Sequence, residues 1–285
     1  MRMPSTTAIL LNGAAALVAV ASVVTVGRSI IGADQQVSCR ERYTNALQWP
    51  LKRENGELFT SFDLQARLGS TDWGLLERVS VVRADNPSKS ALVFDLSRPV
   101  KTDEARSANT AEPAGAGFEW LPRSINGPRA GCASFVIRFE PDFAFNSGGR
   151  LPGIRGGRTS EDRSGPSAFS TRLAWTSEGQ LNIYGQMPGL TSSRGVANER
   201  SQVTIPRGRW IAVDQEVVLN TPGRSDGIVR VWLDGSLAFE NRSVAFRKDE
   251  EAGIRGILTE VAYTRQPIQS DPKGQVSISQ FEFRW

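Results

Sequence analysis

Short runs in which apolar and polar residues alternate recur through the chain from residue 91 onward. The runs ALVFDL (91–96), ASFVIRF (133–139), SQVTI (201–205), AVDQEVVL (212–219), GIVRVWL (227–233) and QVSISQFEFRW (275–285) are rich in β-branched and aromatic residues. Gly, Pro, Asn and Asp punctuate them. A period of two puts successive side chains on opposite faces of a strand, and turn formers between such runs mark the connections. In 227–240, Val229, Val231 and Leu233 alternate with Ile228, Arg230 and Trp232, and Asp234-Gly235 is the dipeptide of a tight hairpin turn. The last run changes phase between Ile278 and Phe281, which predicts a β-bulge. No helical period of useful length interrupts this pattern, and no repeat is visible. The expected fold is therefore all-β, a sandwich or jelly roll of antiparallel strands that begins near Leu58 and fills a single domain over 34–285. The polar, small-residue stretch 101–117 reads as a surface loop.

One pair of runs carries candidate chemistry. In FSTRLAW (169–175), Phe169, Thr171, Leu173 and Trp175 share one face, and Ser170, Arg172 and Ala174 the other. In LNIYGQM (181–187), Asn182, Tyr184 and Gln186 share the polar face. The intervening TSEGQ reads as a hairpin loop, and a hairpin centred on Glu178 sets Arg172 opposite Tyr184 and Ser170 opposite Gln186. The glycine- and arginine-rich stretch from Ser147, which carries Arg150, Arg155 and Arg158, reads as a loop leading into the first of these strands. A solvated face of an edge hairpin is the plain alternative. Tyr184, one of only three tyrosines, and the arginines beside it weigh toward a site.

Composition narrows the options. The chain has 285 residues, large enough for a full core, and contains no histidine. That absence removes Ser-His-Asp and Cys-His catalysis, histidine zinc sites and the usual general base. No motif calls for a cofactor or metal; Asp226 and Asp234 read as turn residues, and the acidic stretches 160–164 and 247–253 as solvated loops. The N-terminus places Arg2 before an apolar run over 8–26 and a small-residue Ala19-Val20-Ala21, so residues 1–33 read as a cleaved signal or an uncleaved membrane anchor. Either reading exports the domain to the periplasm or beyond. In that compartment the only two cysteines, Cys39 and Cys132, are expected to form a disulfide, the rival being two buried thiols. Without residues 1–33 the net charge falls from +4 to +2, and basic residues are scattered, which argues against nucleic acid. Lysine occurs only at 52, 89, 101, 248 and 273; arginine supplies the other cations, a planar fork that matches carboxylates, although base composition of the genome yields the same bias.

The segments GGRLPGIRGG (148–157), FSTRLAW, YGQMP (184–188) and VVLNTPGRSDGIVRVWLDG (217–235), in that order, resemble the alginate and glucuronan lyases, polysaccharide lyase families 14 and 20. The resemblance runs from Phe135 to Gly235, with GFEWLP (117–122) fitting the segment before it. It implies a β-jelly roll that cleaves a uronate-containing polysaccharide by β-elimination, working as a monomer on an acidic polymer. Ser170, Arg172 and Tyr184 match the family's serine, arginine and first tyrosine of the site. Arg150 stands where the family has a lysine, and Gln186 where it commonly has a second tyrosine.

β-Elimination needs the uronate carboxylate neutralised, a base for the C5 proton and an acid for the 4-linked oxygen. Arg172 and Arg150 would clamp the carboxylate, Ser170 would join them and Tyr184 in the catalytic set, and Gln186, Asn182, Arg155 and Arg158 would bind the sugar chain. Tyr184 would be both base and acid. Free tyrosine ionises near pH ~10, so nearby positive charge is required, and Arg172 would supply it. The rival is a non-catalytic binder of acidic glycans on the same scaffold. A glycoside hydrolase, which needs two carboxyl groups facing across a cleft, finds no such acidic pairing in the chain.

Overall fold

The computed structural model describes residues 37–68, 72–97, 114–159, 167–188, 203–264 and 274–285. The apolar run 8–26, most of the stretch 101–117, the acidic residues 160–164 and the start of SQVTI lie outside the described residues. Residues Cys39–Trp285 make up one compact unit. Among the described residues no helix is long and apolar enough to cross a membrane.

A 3₁₀ turn at Cys39–Glu41 leads into strand β1 (Ala46–Trp49), helices α1 (Ser61–Leu68) and α2 (Leu75–Arg78), and strands β2 (Val79–Val82) and β3 (Ala91–Asp95). There follow β4 (Gly115–Trp120), β5 (Ala130–Phe139), β6 (Gly149–Gly157), β7 (Phe169–Trp175), β8 (Leu181–Gln186) and β9 (Ile211–Val218). The chain ends with β10 (Gly227–Leu233), β11 (Ser236–Val244), β12 (Gly253–Tyr263), β13 (Gln275–Ile278) and β14 (Phe281–Arg284). These form two antiparallel sheets. The larger runs β11-β10-β9-β5-β13-β3-β2, with β14 joining β5 to β1; the smaller runs β4-β12-β6-β7-β8. This is the jelly-roll sandwich the alternation predicts.

The alternating apolar residues face inward between the sheets. Phe135, Ile137, Phe139, Val217, Val231 and Phe283 from the larger sheet are buried in one core with Phe118, Ile154, Leu173, Trp175, Ile183 and Ile257 from the smaller. At one end Phe139, Phe143, Trp175 and Tyr263 pack ring on ring with centroids 4.9–5.9 Å apart, mostly edge to face. Each such pair adds about 0.5–1.5 kcal/mol beyond its buried area. The Asp234-Gly235 turn forms, with φ of 49° and 78°. The bulge near the C-terminus forms too: Ile278 faces Ile137 and Glu282 faces Ser134, so β5 gains one residue less than its partner over that step.

Five expectations need correction. The sandwich starts at Ala46 rather than near Leu58, which makes only an isolated bridge to Lys52. Two short helices interrupt the β pattern; α1 begins with a capping box in which Thr60 and Asp63 exchange hydrogen bonds, Thr60 N–H to Asp63 at 2.8 Å and Asp63 N–H to Thr60 Oγ1 at 3.2 Å. A single turn or two held by its cap is too short for periodicity to reveal. Residues 115–117 are strand rather than loop, and among the described residues SQVTI contributes only a bridge from Thr204 to Gln180. Most consequentially, the glycine- and arginine-rich stretch is strand β6, in the middle of the smaller sheet. Its glycines serve close approach. A Cβ at Gly153 would lie 1.8 Å from the Thr171 carbonyl oxygen, and one at Gly149 2.0 Å from the Trp175 ring.

Residues 39–43 are fastened to the outer face of the larger sheet. Cys39 and Cys132 form a disulfide across a separation of 93 residues, packed on Trp232. Glu216 accepts from Arg42, Tyr43 and Arg230, and Glu282 from Arg40, Gln48 and Arg284. Closing a loop of that length restricts the unfolded chain strongly. Replacing both cysteines by serine is expected to lower the unfolding free energy by about 2–5 kcal/mol, read as a lower denaturant midpoint. An unchanged midpoint would refute this.

Candidate active site

The β7–β8 hairpin has the register the alternation requires: Arg172 pairs with Tyr184, Ser170 with Gln186 and Ala174 with Asn182. On the other side of β7, Arg155 lies opposite Ser170, Gly153 opposite Arg172 and Arg150 opposite Ala174. The polar residues of three neighbouring strands therefore share the face turned away from the core. Ser170 and Arg172 are buried there, Asn182 and Tyr184 half-buried, and Gln186 exposed. A cavity of about 350 Å³ opens beside them, lined by Arg150, Ala174, Asn182 and Tyr184.

The centre of this face is a residue that sequence reasoning missed. Glu260, on β12, takes Arg150 Nη1 on one carboxylate oxygen at 2.8 Å and Arg172 Nη1 on the other. The two guanidinium carbons lie 4.7 and 4.6 Å from the Tyr184 ring centroid, both within cation–π range. Burial, and then the charge of Arg150, push the Arg172 pKa down to about 10, with Tyr184 opposing them, so the guanidinium stays charged at neutral pH. Ser170 Oγ and the Nε atoms of Arg150 and Arg172 are buried without a hydrogen-bond partner among the described residues. Those are groups a ligand can satisfy. The signal for Glu260 was present in GILTEVAY, a lone carboxylate in an otherwise apolar strand, but nothing local shows which way it faces.

The backbone under the site is tied to the opposite sheet. The β6–β7 register shifts between Arg150 and Gly153, and just beyond it Gln215 of β9, fully buried, reaches across the core. Its Oε1 accepts the Ile154 N–H at 3.1 Å, and its Nε2 donates to the Thr171 carbonyl at 3.0 Å and to Thr171 Oγ1 at 3.2 Å. Two other arginines expected at the sugar are already engaged. Arg155 is buried against Glu119 of β4, and Arg158 is an exposed partner of Asp249 (2.9 Å) and Glu251 (3.4 Å). The stretch 247–253 is likewise only in part a solvated loop, because Arg247 is buried and donates to the Asn220 carbonyl at 2.9 Å.

The polysaccharide lyase 14 family model matches residues 100–264. The chain belongs to polysaccharide lyase family 14. Solved structures share its fold. A marine PL-14 alginate lyase from Aplysia kurodai superposes with a TM-score of 0.66 at 20% identity, covering 85% of this chain and 98% of its own. An alginate lyase from a Chlorella virus gives 0.58 at 14% identity, covering 78% and 96%. An endo-β-1,4-glucuronan lyase from the fungus Trichoderma reesei gives 0.53 at 14%, covering 85% and 95%. No curated protein sequence matches the chain. The jelly roll is thus the fold of these solved lyases, and the family is one of polysaccharide lyases.

Two substitutions test the support beneath this face. Gln215→Leu leaves the Ile154 N–H and the Thr171 carbonyl unsatisfied in the core and is expected to cost about 2–5 kcal/mol of stability. Glu260→Ala leaves the buried Arg172 and the half-buried Arg150 as unopposed like charges at one ring, at about 3–5 kcal/mol. Denaturant titration measures both, and losses under ~1 kcal/mol would show that the tie and the fork are incidental.

Proposed function

We propose that this family 14 chain is an exported lyase that cleaves a uronate-containing polysaccharide, of the alginate or glucuronan type, by β-elimination at the Arg150, Ser170, Arg172 and Tyr184 face. The observation that carries the reading is the pair of guanidiniums held by Glu260 over the Tyr184 ring beside an open cavity. One carboxylate is already neutralised there, so one positive charge is left for the ligand. The unpartnered Nε–H groups of Arg150 and Arg172 and the Ser170 hydroxyl supply donors for a second carboxylate. Neutralising the uronate carboxylate acidifies C5–H and stabilises the charge that develops as the proton leaves.

Tyr184 Oη, as the phenolate, takes the C5 proton. The C5–H electron pair becomes the C4=C5 double bond, the C4–O bond breaks, and the same hydroxyl returns the proton to the departing oxygen. Asn182 and Gln186, on the same strand and the same face, are placed to hold sugar hydroxyls. The apolar segment after Arg2 and the Cys39–Cys132 disulfide support export, since disulfides persist in oxidising compartments.

A second reading, an acidic-glycan binder without turnover, is favoured by one observation. Gln186 stands exposed where a second proton-carrying group would stand, and an amide transfers no proton. Incubation with alginate, glucuronan and other glucuronate-containing glycans, following the ultraviolet absorbance of the unsaturated product, separates the two. Turnover is expected, and binding without any unsaturated product would leave the binder reading.

Two variants then assign roles. Arg172→Ala is expected to weaken polyuronate binding by about 2–5 kcal/mol, where an exposed arginine would cost under ~1. Tyr184→Phe is expected to abolish turnover with affinity almost unchanged, because only a hydroxyl is lost. Retention of parental affinity by the first or of parental turnover by the second would overturn the corresponding role.

A further inference from the structure

Strand β6 passes from the Arg150 end of the site to Arg158 at the other, where it meets the end of β4 and the start of β12. At that far end a cavity of about 480 Å³ is lined by Arg123, Asn126, Arg158 and Arg255, together with Leu121 and Pro122. Arg255 sets this cavity apart. Its guanidinium is half-buried, burial lowers its pKa, and every group it bonds is neutral. Nε donates to the Gly157 carbonyl at 3.1 Å, Nη1 to Asn126 Oδ1 at 3.2 Å, and Nη2 to the Arg158 carbonyl.

No carboxylate pairs with Arg255 among the described residues. Three of its five N–H donors are spent, one on each nitrogen, which leaves one on each terminal nitrogen, the arrangement that receives a carboxylate. Gly127 lies against the guanidinium plane: a Cβ there would be 3.6 Å from Cζ and from both Nη atoms. The group is thus held in place before any ligand arrives. Arg123, at the cavity rim, is exposed and likewise without an ion pair among the described residues, whereas Arg158 is neutralised by Asp249 and Glu251. A partly desolvated cation fixed on neutral oxygens gains by pairing with an anion from outside.

We propose that Arg255, with Arg123 and Asn126, forms a second anion subsite that binds a carboxylate of the same acidic polysaccharide, several sugars along from the one held at Arg172. The inference rests on the polyuronate reading of the Arg172 face. Gly153 lies beside Arg172 and Gly157 beside Arg255, so four residues of strand, roughly 13 Å, separate the two positions. Only an extended chain reaches both.

The test is calorimetric titration of the parent, Arg255→Ala, Arg123→Glu and Arg172→Ala with oligouronates of increasing length, at fixed ionic strength. The parent is expected to gain affinity once the oligomer spans both positions. Arg255→Ala and Arg123→Glu should lose that gain, roughly tenfold or more, yet bind the shortest oligomers like the parent. Arg172→Ala should be weakened at every length. Arg123 makes no hydrogen bond among the described residues, so Arg123→Glu answers the question even if Arg255→Ala fails to fold.

Parental affinity of Arg123→Glu for long oligomers, or an equal loss at all lengths, would overturn the subsite. So would a sulfated chain whose binding depends on Arg255 while that of polyuronate does not. If Arg172→Ala weakens every length while the Arg255 and Arg123 variants match the parent, the second subsite falls and the Arg172 face stands. If the length-dependent gain is lost in those variants but no polymer yields an unsaturated product, the subsite stands and the lyase reaction falls.

Discussion

Two guanidiniums can share one aromatic ring in a poorly hydrated recess only if a negative charge lies between them. At ~4 Å separation two unit charges interact by about 4 kcal/mol even at an effective dielectric of 20. Arg150 and Arg172 both lie over Tyr184, and Glu260 removes that repulsion by giving one oxygen to each. It holds its place because it sits inside a strand flanked by β4 and β6, and its carboxylate has little freedom to withdraw. The face is thereby preset with one excess positive charge and oriented donors, the condition under which an anionic ligand is met without reorganisation.

The identity of residue 150 gains a physical meaning beside Glu260. Arginine has five donors spread over three nitrogens, so it can hold the glutamate with Nη1 and still offer Nε, which has no partner among the described residues, to a second carboxylate. An ammonium is a point charge on a flexible stem and would share itself between the two less directionally. Arginine at this position thus suits a face on which a resident carboxylate already sits.

Support for this face comes from the rest of the sandwich. Gln215 spans the core to bond the backbone of β6 and β7 from below, and the glycines of β6 let that strand lie close against its neighbours and the rings of Phe169 and Trp175. The disulfide and the Glu216 and Glu282 networks act elsewhere, on the outer face of the larger sheet. They lie on the opposite sheet from the Arg172 cluster.

Much of the site was legible because a tight hairpin makes it local. Alternation along β7 and β8 places Ser170, Arg172, Asn182, Tyr184 and Gln186 on one polar face, and a five-residue connection leaves one register that pairs Arg172 with Tyr184. The all-β class, the C-terminal bulge and the pairing of two lone cysteines follow from equally short-range or compositional reasoning. What tertiary structure alone decided is which charges meet. Arg150 and Glu260 lie 110 residues apart, and a carboxylate in an apolar strand faces core or cleft according to strand order, which no local pattern encodes. The same holds for Arg155, which finds Glu119, and Arg255, which finds only neutral oxygens. The glycines that read as a loop became strand because the missing Cβ matters most where another chain segment comes too close for a side chain, and that segment is supplied by the fold.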